Sequence, residues 1–263
     1  LVLLQVRTPR KILWAATAAV VALVGMFAAA NRIERSVEAL TYNDPVVYYQ
    51  QTAYQKVVLT DYQDDLRMYL NGQLQFSSLD EARYHETLSA SAMTSVKDPA
   101  HVLVLGGGDG LLAREILRYP SVKDVTIVDI DPGVTELARS NRLLKDLNKA
   151  SLSDPRVNVV NDDAFTYVRD SRATYDVVLV DLVDPSNEKL AKLYSTEFYR
   201  NVEARLAPEG VMVTQATSTF FSPHAFSTVA STVATSQPDR QILPFSTNIP
   251  SFGEWGFVLS TRT

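Results

Sequence analysis

The rhythm of hydrophobic and polar positions changes twice along this chain. Residues 12–30, ILWAATAAVVALVGMFAAA, form an uncharged run of 19 residues. As a helix, such a run is long enough to cross a hydrocarbon core of about 30 Å. Residues 31–45 read as a polar connector. Beyond it the period shortens to two: YQKVVLTDYQ and DLRMYLNGQLQFSS alternate apolar and polar residues around Asn71-Gly72. Asn-Gly favours the positive-φ turn of a two-residue hairpin, so a small antiparallel lobe is expected. LDEARYHETLSASAMTSV then has helical spacing, with Asp80 and Glu81 in its first turn, where the helix dipole favours acids.

From Ala100 onward, short apolar runs (HVLVL, DVTIVDI, VNVV, YDVVLVDL, GVMVTQ) alternate with amphipathic segments such as VTELARSNRLL and STEFYRNVEARL. That alternation implies βαβ units and a parallel sheet covered on both faces. DRQILPF and EWGFVLST read as a closing antiparallel pair. The expected fold is α/β: a Rossmann-like, methyltransferase-type, mostly parallel sheet with a small N-terminal antiparallel β lobe, preceded by one transmembrane helix. The expected divisions are 1–35 for the membrane-spanning segment and its flanks, 36–98 for the lobe and its linking helix, and 99–263 for the catalytic domain.

Composition narrows the chemistry. Among 263 residues there is no cysteine, which removes disulfides and thiolate chemistry. His85, His101 and His224 lie far apart in sequence and in no metal-ligand spacing, so no metal site is expected. A net charge of −5 argues against nucleic acid and for cationic ligands. Ala28-Ala29-Ala30 imitates a signal cleavage site, but the apolar core of a signal peptide is shorter, about 7 to 15 residues. A membrane span is therefore preferred to a cleaved signal. Basic residues on both flanks (Arg7, Arg10 and Lys11; Arg32 and Arg35) leave its orientation open.

In open α/β sheets, ligands bind beyond the carboxyl ends of the strands. Here each of the first four parallel runs ends in an acid: GGGDG at 106–110, Asp129-Ile130-Asp131, Asp162-Asp163-Ala164, and Asp181 with Asp184. Asp129, 19 residues past Gly110, suits the two hydroxyls of a ribose. Asp163 beside the small Ala164 suits an adenine amino group. The turn has glycines at 106, 108 and 110 but Leu at 111, so it fits an adenosyl group better than a dinucleotide. Asp109, Asp181 and Asp184 remain, more carboxylates than a nucleoside needs, and they point to a cationic ligand beside the sugar.

Tyr54-Gln55, LNGQLQFSSLDEARYHE, VLVLGGGDG, VDID, NDDAF, VDLVDP and IPSFGEWGF together resemble the spermidine synthase (polyamine aminopropyltransferase) family, in particular its bacterial membrane-fused members. The resemblance implies transfer of the aminopropyl group of decarboxylated S-adenosylmethionine to putrescine or a related amine, releasing methylthioadenosine. The donor is a co-substrate; no tightly bound cofactor is implied. Carried over by position, Asp181 is the general base, helped by Tyr84. Gln55, Gly106, Gly108, Asp129, Asp163 and Ala164 face the nucleoside, and His85, Asp109, Asp184 and Gln215 line the aminopropyl and polyamine channel. A homodimer, attachment to the inner membrane and a cytoplasmic catalytic domain are the corresponding expectations. Two segments depart from the family pattern: DLVDPSNE lacks a Gly-Pro, and IPSFGEWG has Phe252 for a tyrosine and an added acid, Glu254. Two other readings fit the sheet pattern. One is a methyltransferase using intact S-adenosylmethionine, which Asp109 opposes. The other is a polyamine- or nucleoside-sensing domain without turnover, which Asp181 opposes.

Overall fold

The computed structural model describes the backbone of residues 10–39, 41–185 and 188–262, and their side chains apart from residues 13, 27–39 and 189. The first element is helix α1 (Arg10–Ala39). It runs through the segment expected to be a connector, because NRIERSVEA is rich in good helix formers and neither Gly nor Pro interrupts it before Pro45. Among the described residues no helix is long and apolar enough to cross a membrane. The span expected over residues 12–30 is thus not borne out there; its last four side chains, Arg7, and the side chains of Arg32 and Arg35 lie outside the described residues.

Strands β1 (Val46–Gln51), β2 (Lys56–Tyr62), β3 (Asp65–Leu70) and β4 (Gln73–Ser77) form an antiparallel sheet in sequence order. Asn71 and Gly72 both have positive φ, 51° and 82°, as their hairpin turn requires. The sheet has one strand more than the sequence pattern suggested. β1 was not anticipated: VVYYQQ lacks clean alternation, and its burial is intermediate along most of its length. Helix α2 (Glu81–Met93) links the lobe to the main sheet. Asp80 does not cap it. Its carboxylate instead accepts from Ser251 N at 2.6 Å and Ser251 Oγ at 2.8 Å, tying the start of α2 to the IPSFGEWG segment.

The remaining elements are β5 (His101–Gly106), α3 (Leu111–Ile116), β6 (Asp124–Val128), α4 (Pro132–Ser140), α5 (Arg142–Leu147), β7 (Val157–Val160), α6 (Ala164–Asp170), β8 (Tyr175–Asp181), α7 (Glu188–Ala191), α8 (Thr196–Glu203), β9 (Leu206–Ser218), α9 (Pro223–Ser236), β10 (Gln241–Ile249) and β11 (Gly253–Thr261). The sheet order is β10-β11-β9-β8-β5-β6-β7, parallel from β9 to β7 and closed by the antiparallel pair β10–β11. Chain order reverses direction at β5, so the crevice between β5 and β8 is the switch point where a ligand is expected. In β5, Val102 and Val104 pack into one core while Leu103 and Leu105 pack into the other; in β8, Val177 and Leu179 oppose Val178 and Val180 in the same way. Both faces are thereby buried, which is why these strands read as continuous apolar runs. Val57, Leu59, Leu66, Met68 and Phe76 of the lobe belong to the first of these cores, so lobe and sheet share one interior.

Candidate active site

The glycine turn and the end of β8 meet by register: Gly106 pairs with Asp181. Gly106 has φ +88°, and a Cβ there would stand 2.0 Å from the Asp181 carbonyl oxygen. At Gly108 a Cβ would stand 2.4 Å from Asp129 Oδ2. Both positions need glycine because neighbouring backbone and carboxylate occupy the volume a side chain would fill. Gly108 N donates to Asp129 Oδ2 at 3.0 Å, and Asp131 N donates to Asp129 Oδ1 at 2.9 Å. Even so, burial pushes the Asp129 carboxyl up to about 6, since two amide donors only partly replace lost water.

Asp131 is fully buried and caps α4, accepting from Gly133 N at 2.9 Å. Its other oxygen accepts from Thr52 Oγ1 at 2.8 Å and Gln55 Nε2 at 3.0 Å, so the amide of Gln55 is held against the sheet by Asp131. Asp163 caps α6 through Thr166 N at 3.1 Å, and Lys192 Nζ donates to its second oxygen at 2.6 Å while lying 5.7 Å from the Phe165 ring centre. Burial would raise the Asp163 carboxyl, but Lys192 together with the Thr166 and Phe165 amides outweighs it and holds the group low. Ala164 beside it is buried.

On the other side of the turn, Tyr84 from α2 donates to Asp181 Oδ1 at 2.6 Å. Burial raises the Asp181 carboxyl, and the His85 charge and the tyrosine hydroxyl partly offset that rise. The same burial, with Asp181 nearby, drives the Tyr84 hydroxyl well above its ordinary value, so it stays a donor. Asp109 accepts from Leu111 N at 2.9 Å and is likewise raised, by burial first, with His85 opposing and Asp181 adding to the rise. Asp184 accepts from Gln215 Nε2 and Thr217 Oγ1, each at 3.2 Å. Its carboxyl too is raised by burial, less the contribution of these two donors. Thr217 has φ +63°, a costly conformation for a β-branched residue, and its amide bonds Gln215 Oε1 at 2.9 Å.

His85 is buried, and its Nδ1 lies 2.8 Å from Glu81 Oε2 and 2.9 Å from the Glu81 carbonyl oxygen. Arg114 in α3 grips both oxygens of Glu81, at 2.8 and 2.9 Å. Phe252 meets Tyr84 edge-on with ring centres 6.4 Å apart, bordering the Asp181 side. Glu254 does not join these acids: it is exposed, and Oε1 accepts from Ser246 Oγ at 2.7 Å.

The structure thus links Tyr84 to Asp181, Gln215 to Asp184 and Gly108 to Asp129. It ties Gln55 to Asp131 and Asp163 to Lys192. Sequence reasoning missed the supporting residues Glu81, Arg114, Asp131, Thr52, Lys192 and Thr217. For Asp131 a signal was present, because Asp-Pro at a strand-to-helix junction is a common helix start. For Lys192 and Arg114 there was none.

Fold and site together define a Rossmann-like α/β protein with a glycine turn and acids at successive strand ends. The family model described as the spermine/spermidine synthase domain matches residues 81–262, and the chain belongs to that family. It is 47% identical over 225 residues to a polyamine aminopropyltransferase of Oceanobacillus iheyensis, covering 86% of this chain and 44% of that protein. It is 44% identical over 247 residues to polyamine aminopropyltransferase 2 of Ralstonia nicotianae, covering 94% and 48%. The chain therefore spans about half the length of these curated relatives. A crystal structure of spermidine synthase in complex with the transition state analogue AdoDATO superposes with TM-score 0.78 at 26% identity, covering 83% of this chain and 74% of that one. Spermidine synthase from Thermotoga maritima gives TM-score 0.76 at 27% identity, with 83% and 73% covered.

Proposed function

We propose that this protein transfers the aminopropyl group of decarboxylated S-adenosylmethionine to putrescine or a similar amine, giving spermidine and methylthioadenosine. The observation that carries this reading is the Tyr84-supported, half-buried Asp181 at the register step of the glycine turn that bears Asp109. The AdoDATO complex of a structural relative supports the same donor class. In this reading Asp129 receives the ribose hydroxyls, Gln55 and Ala164 border the nucleoside, and adenine approaches Asp163 once Lys192 yields. Asp109, with His85 behind it, takes the ammonium of the donor, while Asp184 and Gln215 hold the far end of the amine. Intact S-adenosylmethionine would bring a carboxylate against Asp109, a like-charge approach that costs several kcal/mol when desolvated.

The reaction is one in-line displacement. An alkylammonium with a pKa of about 10 must first lose a proton, and Asp181 accepts it, its basicity raised by burial. The freed nitrogen lone pair attacks the carbon beside the sulfonium. A C–N bond forms, the C–S bond breaks, and its electron pair stays on sulfur, which leaves as a neutral thioether. Holding amine and carbon in line supplies much of the remaining acceleration. Asp181→Asn keeps the shape and removes the base, so kcat should fall about 10²- to 10⁴-fold. Near-wild-type turnover in that variant would sink the role assigned to Asp181.

We assign residues 1–35, 36–98 and 99–263 to anchor, lobe and catalytic domain. The apolar side chains on α1, among them Trp14 at 73% exposed, support lipid contact by this helix; a catalytic domain on the cytoplasmic side of the inner membrane is part of the same proposal.

A further inference from the structure

Among the described residues no Lys or Arg forms an ion pair with Asp109, Asp181 or Asp184, and burial raises each of the three carboxyls. Buried like charges cannot all stay ionised without a counter-charge. Yet the reaction proposed above needs them ionised before either cationic substrate arrives. His85 is the group that can supply that charge, and its surroundings are built for it.

Glu81 offers Nδ1 only acceptors, a carboxylate oxygen at 2.8 Å and a carbonyl oxygen at 2.9 Å, so Nδ1 carries a hydrogen. Glu81 is itself kept ionised: burial would raise it, but hydrogen bonds from His85 and the two-pronged grip of Arg114 hold it low. Arg114 is fixed in turn by Glu115 Oε1 at 2.8 Å and the Leu147 carbonyl at 2.9 Å. The second ring nitrogen lies on the edge of the ring away from Glu81. The negative charges that favour the imidazolium are Glu81 from α2, Asp109 from the glycine turn and Asp181 from β8; the Arg114 guanidinium, which shares Glu81 Oε2 with Nδ1, opposes them, and the neutral Tyr84 ring lies 5.0 Å away.

We propose that Glu81, clamped by Arg114, is a positioning residue that keeps His85 protonated as the resident cation of the acid cluster, holding Asp109 and Asp181 ionised until the amine substrates arrive. This rests on the aminopropyltransferase reading for the identity of the substrates, but the charge state of His85 can be read without turnover. Burial alone would neutralise His85; the Glu81 hydrogen bond and the three negative charges outweigh it. Glu81 also acts on Asp109 directly, in the opposite sense and less strongly than the His85 charge. Loss of the Glu81 charge therefore raises both carboxyls through His85.

The test is an NMR titration of the histidine imidazoles in the full chain and in Glu81→Gln, run beside the pH profile of kcat/KM. His101 and His224 are exposed, which separates their signals from that of buried His85. In the unaltered protein His85 should be an imidazolium at pH 7. In Glu81→Gln its midpoint should fall by about one pH unit or more, a tenfold change in the protonation equilibrium. The acidic limb of kcat/KM should move to higher pH in the same variant, with methylthioadenosine binding retained. Arg114→Lys, which keeps the charge but loses the two-pronged grip, should move both readouts the same way by less. A neutral His85 at pH 7, or an unchanged midpoint in Glu81→Gln, would overturn the proposal; if Glu81→Gln does not fold, an unchanged midpoint in Arg114→Lys would do so. Absence of turnover together with the expected titrations would instead count against the proposed reaction alone.

Discussion

At the scale of single residues, the proposed function assigns donor choice to Asp109 and ribose binding to Asp129, and each assignment makes its own prediction. Asp109→Asn should weaken binding of decarboxylated S-adenosylmethionine by tenfold or more while leaving methylthioadenosine affinity nearly unchanged. Calorimetry on both ligands measures this, and equal losses would contradict the assignment. Asp129 makes a separate pH prediction. Its carboxyl is pushed up to about 6, and ribose hydroxyls bind its ionised form. Methylthioadenosine affinity should therefore hold at pH 7 to 8 and fall as pH drops through about 6, approaching tenfold per pH unit at the limit of one coupled proton. The stability sign is the reverse. An Asp whose folded pKa lies above its unfolded value of about 3.9 gives a contribution to folding that becomes more favourable as pH falls through 6. A pH-independent affinity between 5 and 8 would show that Asp129 does not carry the sugar. Because Asp109 and Asp181 are raised too, the acidic limb of kcat/KM should lie above the ordinary carboxylate range near 4, activity being lost as pH falls through it.

At the scale of elements, the site is the meeting of one turn with one strand end. Gly106→Ala forces a Cβ against the Asp181 carbonyl and puts a side chain at φ +88°. Gly108→Ala forces one against the Asp129 carboxylate, which can shift where a backbone carbonyl cannot. Both should destabilise by about 1–3 kcal/mol, Gly106→Ala more. Thermal unfolding ranks them, and the opposite order would show that the turn, rather than the carboxylate, is the soft partner. The sheet was legible from sequence because its central parallel strands β5 and β8 are buried on both faces, and Asn71-Gly72 announced its hairpin through turn chemistry. The acids at the four strand ends were legible for the same reason: once the strands are known, their ends are known. What supports them was not. Arg114 meets Glu81 across 33 residues of sequence, Gln55 meets Asp131 across 76, and Lys192 meets Asp163 across 29. Helical or strand periodicity says nothing about contacts at such separations. The extension of α1 through Ala39 was missed because polarity was read as a break, when exposed helix surfaces are themselves polar.

For the whole molecule, the lobe and the sheet act as one body through their shared core, and α1 stands apart in character. Its described apolar side chains, including Val20, Val21, Leu23, Val24 and Met26, are more than half exposed. The full chain should co-sediment with phospholipid vesicles and remain bound in high salt, since burial of apolar side chains is not screened as charge attraction is. Release by salt alone would argue for charge-mediated contact instead. The proposed reaction is tested by product analysis on the purified protein given decarboxylated S-adenosylmethionine and putrescine. Methylthioadenosine and spermidine should appear in equal amounts, with no methylthioadenosine formed when intact S-adenosylmethionine replaces the donor. Failure to form methylthioadenosine with putrescine or with any other di- or polyamine would contradict the account.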